Sequence, residues 1–528
     1  MERINITGTG SELQGVGRLS DGRAVFVPHA LLGEAVTIEI TKDAQRFCEA
    51  RLVEVLKPSP ARCEPGCPAY GRCGGCQARH MSYEETLLRK RQRVLDALER
   101  IGGVESPTVL NTIGCAHPER TRNKAEFPIA RGKIGAYAQG SHEIIPLTDC
   151  LLQKEPAAKA LKWFSENLNR LRGASHFTHL VTRVNRKGEM MLTLCADAPI
   201  LSDAQALVSE LTKALPELKS LYFLKQNRRP VQPLDGECIH LWGEKTLDDT
   251  LLGLTFALSP QSFFQVNPEQ TEILYQKALD AAGLTEGCNM RILDAYCGAG
   301  TITLAAARLA KHATGVEIVP PAIADAKKNA QRNGLAKKSR FICADAAKEI
   351  PKLISTGERF DAAIIDPPRK GADEKLLRAL IQAAPERISY VSCNPATLAR
   401  DVKILSEGGY KLEWAQPVDM FPWTGHVETV CLLSKLNTKQ HIEINLDMDE
   451  LDLTDAEKKA TYQEIKDYVL EHSGLKVISL YIAQVKQQCG IIERENYNKP
   501  KSEDAKQPQC PPDKEKAIKE ALQHFGMI

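Results

Sequence analysis

The sequence predicts a multidomain α/β protein, and three observations lead there. At 528 residues the chain is roughly three to four times the length that one hydrophobic core supports. Beyond Ser262 it repeats strand, glycine-bearing turn and helix, the pattern of a doubly wound parallel sheet. Before that point short β runs come first and mixed β and helical runs follow, as separate smaller domains would give. Apolar residues (43%) and charged residues (26%) stand in globular proportion, which excludes a disordered or collagen-like chain.

Residues 1–58 hold the β runs Arg23-Ala-Val-Phe-Val and Glu34-Ala-Val-Thr-Ile-Glu-Ile and end at Lys57-Pro-Ser-Pro, which reads as an OB-like β-barrel and a linker. Residues 59–255 are expected to form an α+β central domain. It opens with a cysteine cluster and a helix started by the Ser82-Tyr-Glu-Glu85 capping box and closed at Gly102-Gly103. That helix carries Arg89-Lys-Arg-x-Arg93, which reads equally as a solvated face or an RNA-backbone contact. The β runs Thr178–Val184 and Met190–Leu194 follow. Residues 256–435 give five apolar strands, at Arg291–Asp294, Thr314–Glu317, Arg340–Cys343, Phe360–Asp366 and Ile388–Ser392, in a Rossmann-like arrangement.

Residues 436–528 form a helical tail, with a second capping box at Thr454-Asp-Ala-Glu, a stop near Gly474 and a helix from Leu480 to Cys489. They read as a helix-turn-helix-like extension. The whole chain carries a formal charge of +2, but the tail holds 13 basic and 17 acidic residues, so the remainder carries +6. A net-neutral total therefore conceals a basic body and an acidic tail for which duplex binding is disfavoured. No apolar h-region opens the sequence and no run reaches about 18 apolar residues, so a cytoplasmic protein with no membrane contact is expected. In that compartment the 16 cysteines are expected to be buried, metal-bound or nucleophilic rather than disulfide-bonded.

The turn Asp294-Ala-Tyr-Cys-Gly-Ala-Gly-Thr301 follows the first catalytic-domain strand, and Glu317 ends the second, 23 residues on. Glycines there let a ligand approach the backbone, and the acid accepts from ribose hydroxyls. The form Asp-x-x-Cys-Gly-x-Gly, rather than Gly-x-Gly-x-x-Gly, favours S-adenosylmethionine over NAD. Asp366-Pro-Pro-Arg-Lys-Gly371 ends the fourth strand in a rigid loop at the ligand edge of the sheet. Cys393, in Val391-Ser-Cys-Asn-Pro395, ends the fifth at the same edge. A thiolate there suits methylation at C5 of uracil, because C5 gains nucleophilic character only once something adds to C6. A base must then take the C5 proton, and Glu428 in His426-Val-Glu-Thr-Val430 is the candidate. A second constellation, Cys67-x5-Cys73-Gly-Gly-Cys76, has spacing suited to an iron-sulfur cluster or zinc, and Cys63 with those three could close a zinc site.

Together, Ser262-Phe-Phe-Gln-Val-Asn-Pro, Asp294–Thr301, Asp366–Gly371, Val391–Asp401 and His426–Val430 resemble the RNA uracil-C5 methyltransferase family, over residues 1 to about 435. The resemblance implies a nucleophile at Cys393 and a base at Glu428. It implies S-adenosylmethionine contacts from Gln265, Tyr296, Glu317 and Asp366, the last also meeting the flipped uracil. It implies a 4Fe-4S cluster on Cys67, Cys73, Cys76 and Cys150, with zinc as the alternative. Gly15-Val-Gly-Arg18 and Asp21–Glu34 look like a TRAM barrel that binds RNA. Thr121-Arg-Asn-Lys-Ala is similar to a family stretch in which Arg122 and Lys124 would hold phosphates. Phe263 or Phe264 could stack on the base, although each also reads as core. The implied activity is 5-methyluridine formation in 23S ribosomal RNA by a monomer. Two further readings stay open: an amino-group methyltransferase using the Asp366 loop, and a non-catalytic RNA-binding or assembly factor.

Overall fold

A computed structural model describes residues 1–199, 204–436, 462–489, 510–525 and 527, divided into two compact units, Met1–Asn437 and Thr438–Ile528. The first unit begins with β1 (Glu2–Thr9), β2 (Gly15–Arg18), β3 (Ala24–Val27), β4 (Ala35–Asp43) and β5 (Phe47–Lys57), closed into a barrel in the order β1-β2-β3-β5-β4. Alternate residues point inward, so Ile4, Ile6, Val25, Val27, Val36 and Ile38 fill the barrel. Closure leaves no free edge between strands that would each be too short to stand alone.

Helix α1 (Tyr83–Arg100) starts where the capping box places it, with the Ser82 hydroxyl accepting from Glu85 N at 3.3 Å. Its apolar stripe, Val94 and Leu98, is buried with Leu398 and Val402 in the core of the catalytic sheet. The basic run on α1 is therefore neither an RNA face nor a solvated one. Arg89 pairs with Glu85 at 2.6 Å, Lys90 is completely buried, Arg91 donates to Val109 O at 3.0 Å, and Arg93 donates to Gly425 O at 2.5 Å. Arg89 is used within the helix, and Lys90, Arg91 and Arg93 fasten it to chain around it.

The central part is a seven-stranded sheet, made of β6 (Lys124–Ala130), β7 (Lys133–Tyr137), β8 (Ile144–Pro146), β9 (Phe177–Val184), β10 (Met190–Ala196), β11 (Leu218–Gln226) and β12 (Gly236–Gly243) in the order β12-β11-β10-β9-β6-β7-β8. Helices α2 (Glu155–Asn167) and α3 (Ala204–Ala214) cover it through Leu161, Phe164 and Leu211. A hairpin, β13 (Leu247–Leu251) and β14 (Leu254–Leu258), and helix α4 (Pro268–Ala281) lead to the catalytic sheet.

There β15 (Arg291–Ala295), α5 (Thr301–Leu309), β16 (His312–Glu317), α6 (Pro320–Arg332), β17 (Ser339–Cys343), α7 (Ala346–Ser355), β18 (Ala362–Ile365), α8 (Glu374–Ala383), β19 (Arg387–Ser392) and α9 (Pro395–Glu407) alternate, and β20 (Tyr410–Val418) and β21 (Glu428–Lys435) complete the sheet. The order is β17-β16-β15-β18-β19-β21-β20, with the first five strands parallel and the last two antiparallel. The five parallel strands are those the sequence predicts. All four residues of β18 are buried, as expected of a strand covered on both faces. One core holds α4, α5 and α6, and the other holds α1, α7, α8 and α9. Chain order reverses between β15 and β18, which opens the ligand crevice at their carboxyl ends.

In the second unit α10 (Tyr462–Ser473), α11 (Ser479–Gln488) and α12 (Pro512–His524) enclose Ile465, Val469, Ile482, Val485, Ile518 and Leu522. The stop after α10 is Gly474, with φ of +68°. The third helix goes beyond the expected pair, and the Thr454 capping box lies outside the described residues. Among the described residues no helix is long and apolar enough to cross a membrane.

Candidate active site

The first wall of the crevice is the turn after β15. Asp294 is fully buried, and its carboxylate accepts from Thr303 Oγ1 at 2.6 Å, tying the turn to α5. Burial pushes that carboxyl up to about 7. Gly300 adopts φ of +82°, and a side chain there would come within 2.9 Å of the Phe341 ring, so the turn requires glycine. Tyr296 also takes a left-handed backbone, φ +68°, fixed by its N–H donating to Val316 O at 2.9 Å. Glu317, at the end of β16, accepts from Gly298 N at 3.2 Å and Val319 N at 2.9 Å, which fixes one acid beside the N-terminus of α5.

The opposite wall is the Asp366–Gly371 loop, held from α9 and the residues that start it. Asn394 Nδ2 and Thr397 Oγ1 donate to Arg369 O at 3.3 and 3.4 Å, and Arg400 Nη2 donates to Lys370 O at 3.1 Å. Ala372 N donates to Asp401 Oδ2 at 2.8 Å, and the Tyr390 hydroxyl donates to the same oxygen at 2.6 Å. Cys393 lies between β19 and α9, whose N-cap is Asn394. Strands β19 and β21 pair antiparallel with Ser392 opposite Thr429, so Cys393, which follows β19, and Glu428, which opens β21, stand at the same edge of the sheet.

The cleft between these walls, about 1510 Å³, is lined by Gln265, Tyr296, Glu317, Asp366, Cys393 and Glu428. Residues spread from 265 to 428 thus share one cavity. Glu428 is only 5% exposed, and burial with the nearby Asp366 pushes its carboxyl up to about 8. Burial pushes Asp366 up to about 7, and burial with Glu428 pushes the Cys393 thiol up to about 11. Arg369 lines the same cleft, and its positive charge opposes both the Cys393 and the Glu428 shifts. Its place in the Asp366 loop was legible in the sequence, but its role was not, because nothing local shows which strand ends share its cleft. His426 and Phe421 line the same cleft, and burial and Arg369 hold the His426 imidazole below its ordinary value. Phe263 is 77% exposed at the cleft, whereas Phe264 is buried with its ring centroid 5.8 Å from that of Phe256.

The cysteine segment lies against the central sheet. Cys67, Cys73 and Cys150 are part of its apolar packing, and Cys73 bridges to Ala138. Arg122 corrects the phosphate-binding expectation: its guanidinium is buried, and the groups acting on it are Cys76, Cys150 and Cys73. Arg122 Nε and Arg79 Nη2 are buried without hydrogen-bond partners. Lys124 pairs with Glu126 at 2.8 Å. Half-buried thiols beside two orphaned guanidinium N–H groups fit an anionic thiolate centre in kind and in charge. Yet among the described residues no three His, Cys, Asp or Glu side chains are drawn together closely enough to hold a metal ion. Cys63 is exposed and donates to Arg79 O at 3.6 Å, and its neighbours are Arg62, Glu64 and Glu84 rather than other thiols.

Comparison with known proteins converges on this geometry. A tRNA (Uracil-5-)-methyltransferase family model matches residues 252–436, and a TRAM domain model matches residues 2–53. An uncharacterized RNA methyltransferase of Halalkalibacterium halodurans is 42% identical over 430 residues, covering 79% of this chain and 93% of the relative. One from Clostridium tetani is 41% identical over 450 residues, covering 83% and 97%. The crystal structure of the Pyrococcus abyssi tRNA (uracil-54, C5)-methyltransferase with S-adenosyl-L-homocysteine superposes with a TM-score of 0.66 at 24% identity, covering 82% of this chain and 100% of that one, and so shares the fold. With identity this high over nearly the full length of the relatives, the chain belongs to the S-adenosylmethionine-dependent RNA uracil-C5 methyltransferase family.

Proposed function

We propose that this chain methylates C5 of a uridine in 23S ribosomal RNA, acting in the cytoplasm as a monomer. The observation that supports this chemistry is the shared cleft, in which a thiol at the end of β19 and a buried carboxyl at the start of β21 stand together with Arg369. S-adenosylmethionine, held by Gln265, Tyr296, Glu317 and Asp366, supplies an electrophilic methyl group. Cys393 as thiolate adds to C6 of a uridine flipped from its stack, forming the C6–S bond and placing electron density on C5. C5 takes the methyl group as the bond from that carbon to the sulfonium sulfur breaks, and S-adenosylhomocysteine leaves. Glu428 as carboxylate then removes the C5 proton, the C5–H pair becomes the C5–C6 double bond, and the C6–S bond breaks to return the thiolate. Arg369 favours the ionised form of both groups and so supports each step.

The four thiols Cys67, Cys73, Cys76 and Cys150 are read as ligands of a 4Fe-4S cluster, with Arg122 and Arg79 donating to its anionic shell. Methyl transfer consumes no electron, so the centre acts by holding the segment around it. Zinc is the runner-up. Stoichiometric zinc without iron in anaerobically purified protein would overturn the cluster.

The experiment for the activity is mapping of 5-methyluridine in RNA from a strain lacking the gene, with RNA containing 5-fluorouridine as the covalent trap. Loss of the mark from 23S rRNA, together with an adduct that Cys393→Ala abolishes, is the expected result. Loss from tRNA alone moves the substrate to tRNA, on which the Pyrococcus abyssi neighbour acts. An adduct that persists without Cys393 would sink the mechanism.

A further inference from the structure

Between β20 and β21 the chain runs from Asp419 to Val427 without helix or strand, and Glu428 follows directly. Within it Thr424 donates from N and Oγ1 to Phe421 O and accepts at Oγ1 from His426 N, a single turn, and the rest of its backbone is held by what surrounds it. Several separate parts of the molecule hold it, among them Ile113, whose O accepts from Asp419 N at 2.9 Å, and Asn267, whose Nδ2 donates to Met420 O at 3.1 Å. From α1, Lys90 Nζ donates to Asp419 Oδ1 at 2.5 Å and to Phe421 O at 3.0 Å, and Tyr83 donates to Asp419 Oδ2 at 2.7 Å. Both Lys90 and Asp419 are completely buried. Arg93 donates to Gly425 O at 2.5 Å. Immediately after Cys76, Gln77 N and Ala78 N both donate to Trp423 O, at 2.9 and 3.0 Å, and the Arg79 guanidinium stands 5.0 Å from the Trp423 ring centroid. From the barrel, Ser11 and Glu12 lie so close to Gly425 that a side chain there would come within 2.9 Å of Ser11 O. The other side of the loop gives Phe421 and His426 to the cleft.

We infer that Asp419–Val427 is a positioning loop for the Glu428 carboxyl, with Lys90, Arg93 and the Gln77–Ala78 backbone behind Cys76 as its positioning groups. The inference rests on the proposed reaction, in which Glu428 removes the C5 proton. It gives the cysteine segment a task that needs no redox chemistry, because order in that segment becomes order in the loop that leads into the base. It also explains two of the cations on α1, Lys90 and Arg93, which are spent on loop carbonyls and one buried carboxylate instead of on RNA.

Proton removal is the step that releases RNA from Cys393, whereas attack on C6 does not use Glu428, so loop and nucleophile can be read separately. The full-length protein is assayed as Arg93→Ala, Arg93→Lys and Lys90→Met, with Glu428→Gln as reference, on bulk RNA from a strain lacking the gene. A parallel assay uses the same RNA from cells grown with 5-fluorouracil. A displacement of about 1 Å costs on the order of a hundredfold in rate. Arg93→Ala is therefore expected to turn over roughly tenfold and Lys90→Met roughly a hundredfold more slowly. Both should accumulate methylated enzyme–RNA adduct on ordinary uridine, as Glu428→Gln should, while adduct formation with 5-fluorouridine stays within about twofold of wild type. Arg93→Lys should recover most of the turnover. If Lys90→Met does not fold, Arg93→Ala decides. Wild-type turnover in Arg93→Ala, or a 5-fluorouridine adduct that falls in step with turnover, overturns the inference. Absence of any adduct with the wild-type protein overturns the underlying reaction instead.

Discussion

Glu428→Gln should slow the enzyme and stabilise the fold at the same time, and the size of the second effect follows from burial. The Glu428 carboxyl is 5% exposed and is pushed up from 4.5 to about 8. Between those values the folded chain keeps a proton that the unfolded chain has released, so stability falls as pH rises through that window. At roughly 1.4 kcal/mol for each tenfold, the full gap corresponds to about 5 kcal/mol at pH 9. A buried glutamine and the buried protonated acid pay a similar desolvation cost, so that cost cancels and the net gain at pH 9 is about 5 kcal/mol. Unfolding entropy of about 2.1 cal/mol/K per residue, over the unit Met1–Asn437, turns this into a rise in Tm of roughly 5 °C at pH 9. Near pH 5 the wild-type acid is itself protonated, and the difference should vanish.

Turnover should fall by about 10² to 10⁴, the usual worth of a positioned base, and wild-type turnover should rise as pH climbs through about 8 while Glu428 ionises. Thermal melts at pH 5, 7 and 9, combined with methyl incorporation at each pH, test both arms. A Tm at pH 9 no higher than wild type, or turnover indifferent to the substitution, refutes the reasoning. A variant damaged only in its fold would lose stability at every pH.

Two further outcomes follow from the same structure. Gly300→Ala forces an L residue into φ of +82° and a methyl to within 2.9 Å of the Phe341 ring, which should cost about 2–4 kcal/mol in denaturant unfolding and weaken S-adenosylmethionine binding by calorimetry; unchanged affinity would show that the turn does not contact the cofactor. Arg122→Met removes a buried cation that acts on three of the thiols, so iron and sulfide per chain in anaerobically purified protein should drop to less than about half of wild type, and an unchanged content would remove Arg122 from that centre.

Local pattern carried much of the architecture. The Ser82 capping box, the stop at Gly474 and the five parallel strands stand where short-range signals place them, because caps, turns and apolar runs are set by neighbours within a few residues. Local pattern misread the α1 cations. Four basic residues in five look like a solvated face until Asp419, 329 positions away from Lys90, turns out to share their burial. Arg122 failed in the same way, since the thiols acting on it come from two distant stretches, Cys73–Cys76 and Cys150. The third tail helix, α12, was missed although Ile518, Ala521 and Leu522 line one face, a stripe too short to stand out beside its charged neighbours.

The sequence by itself determined the order of elements, the residue types at each strand end, and hence the family and the kind of chemistry available. Only the tertiary structure decided that Cys393 and Glu428 line one cleft, because that depends on β21 entering antiparallel beside β19 in one register and not another. It also decided that Arg369 lines the same cleft and that a loop without secondary structure is held from α1, the barrel and the cysteine segment. These are contacts between residues tens to hundreds of positions apart. Burial and electrostatics act through space, so no window along the chain contains them.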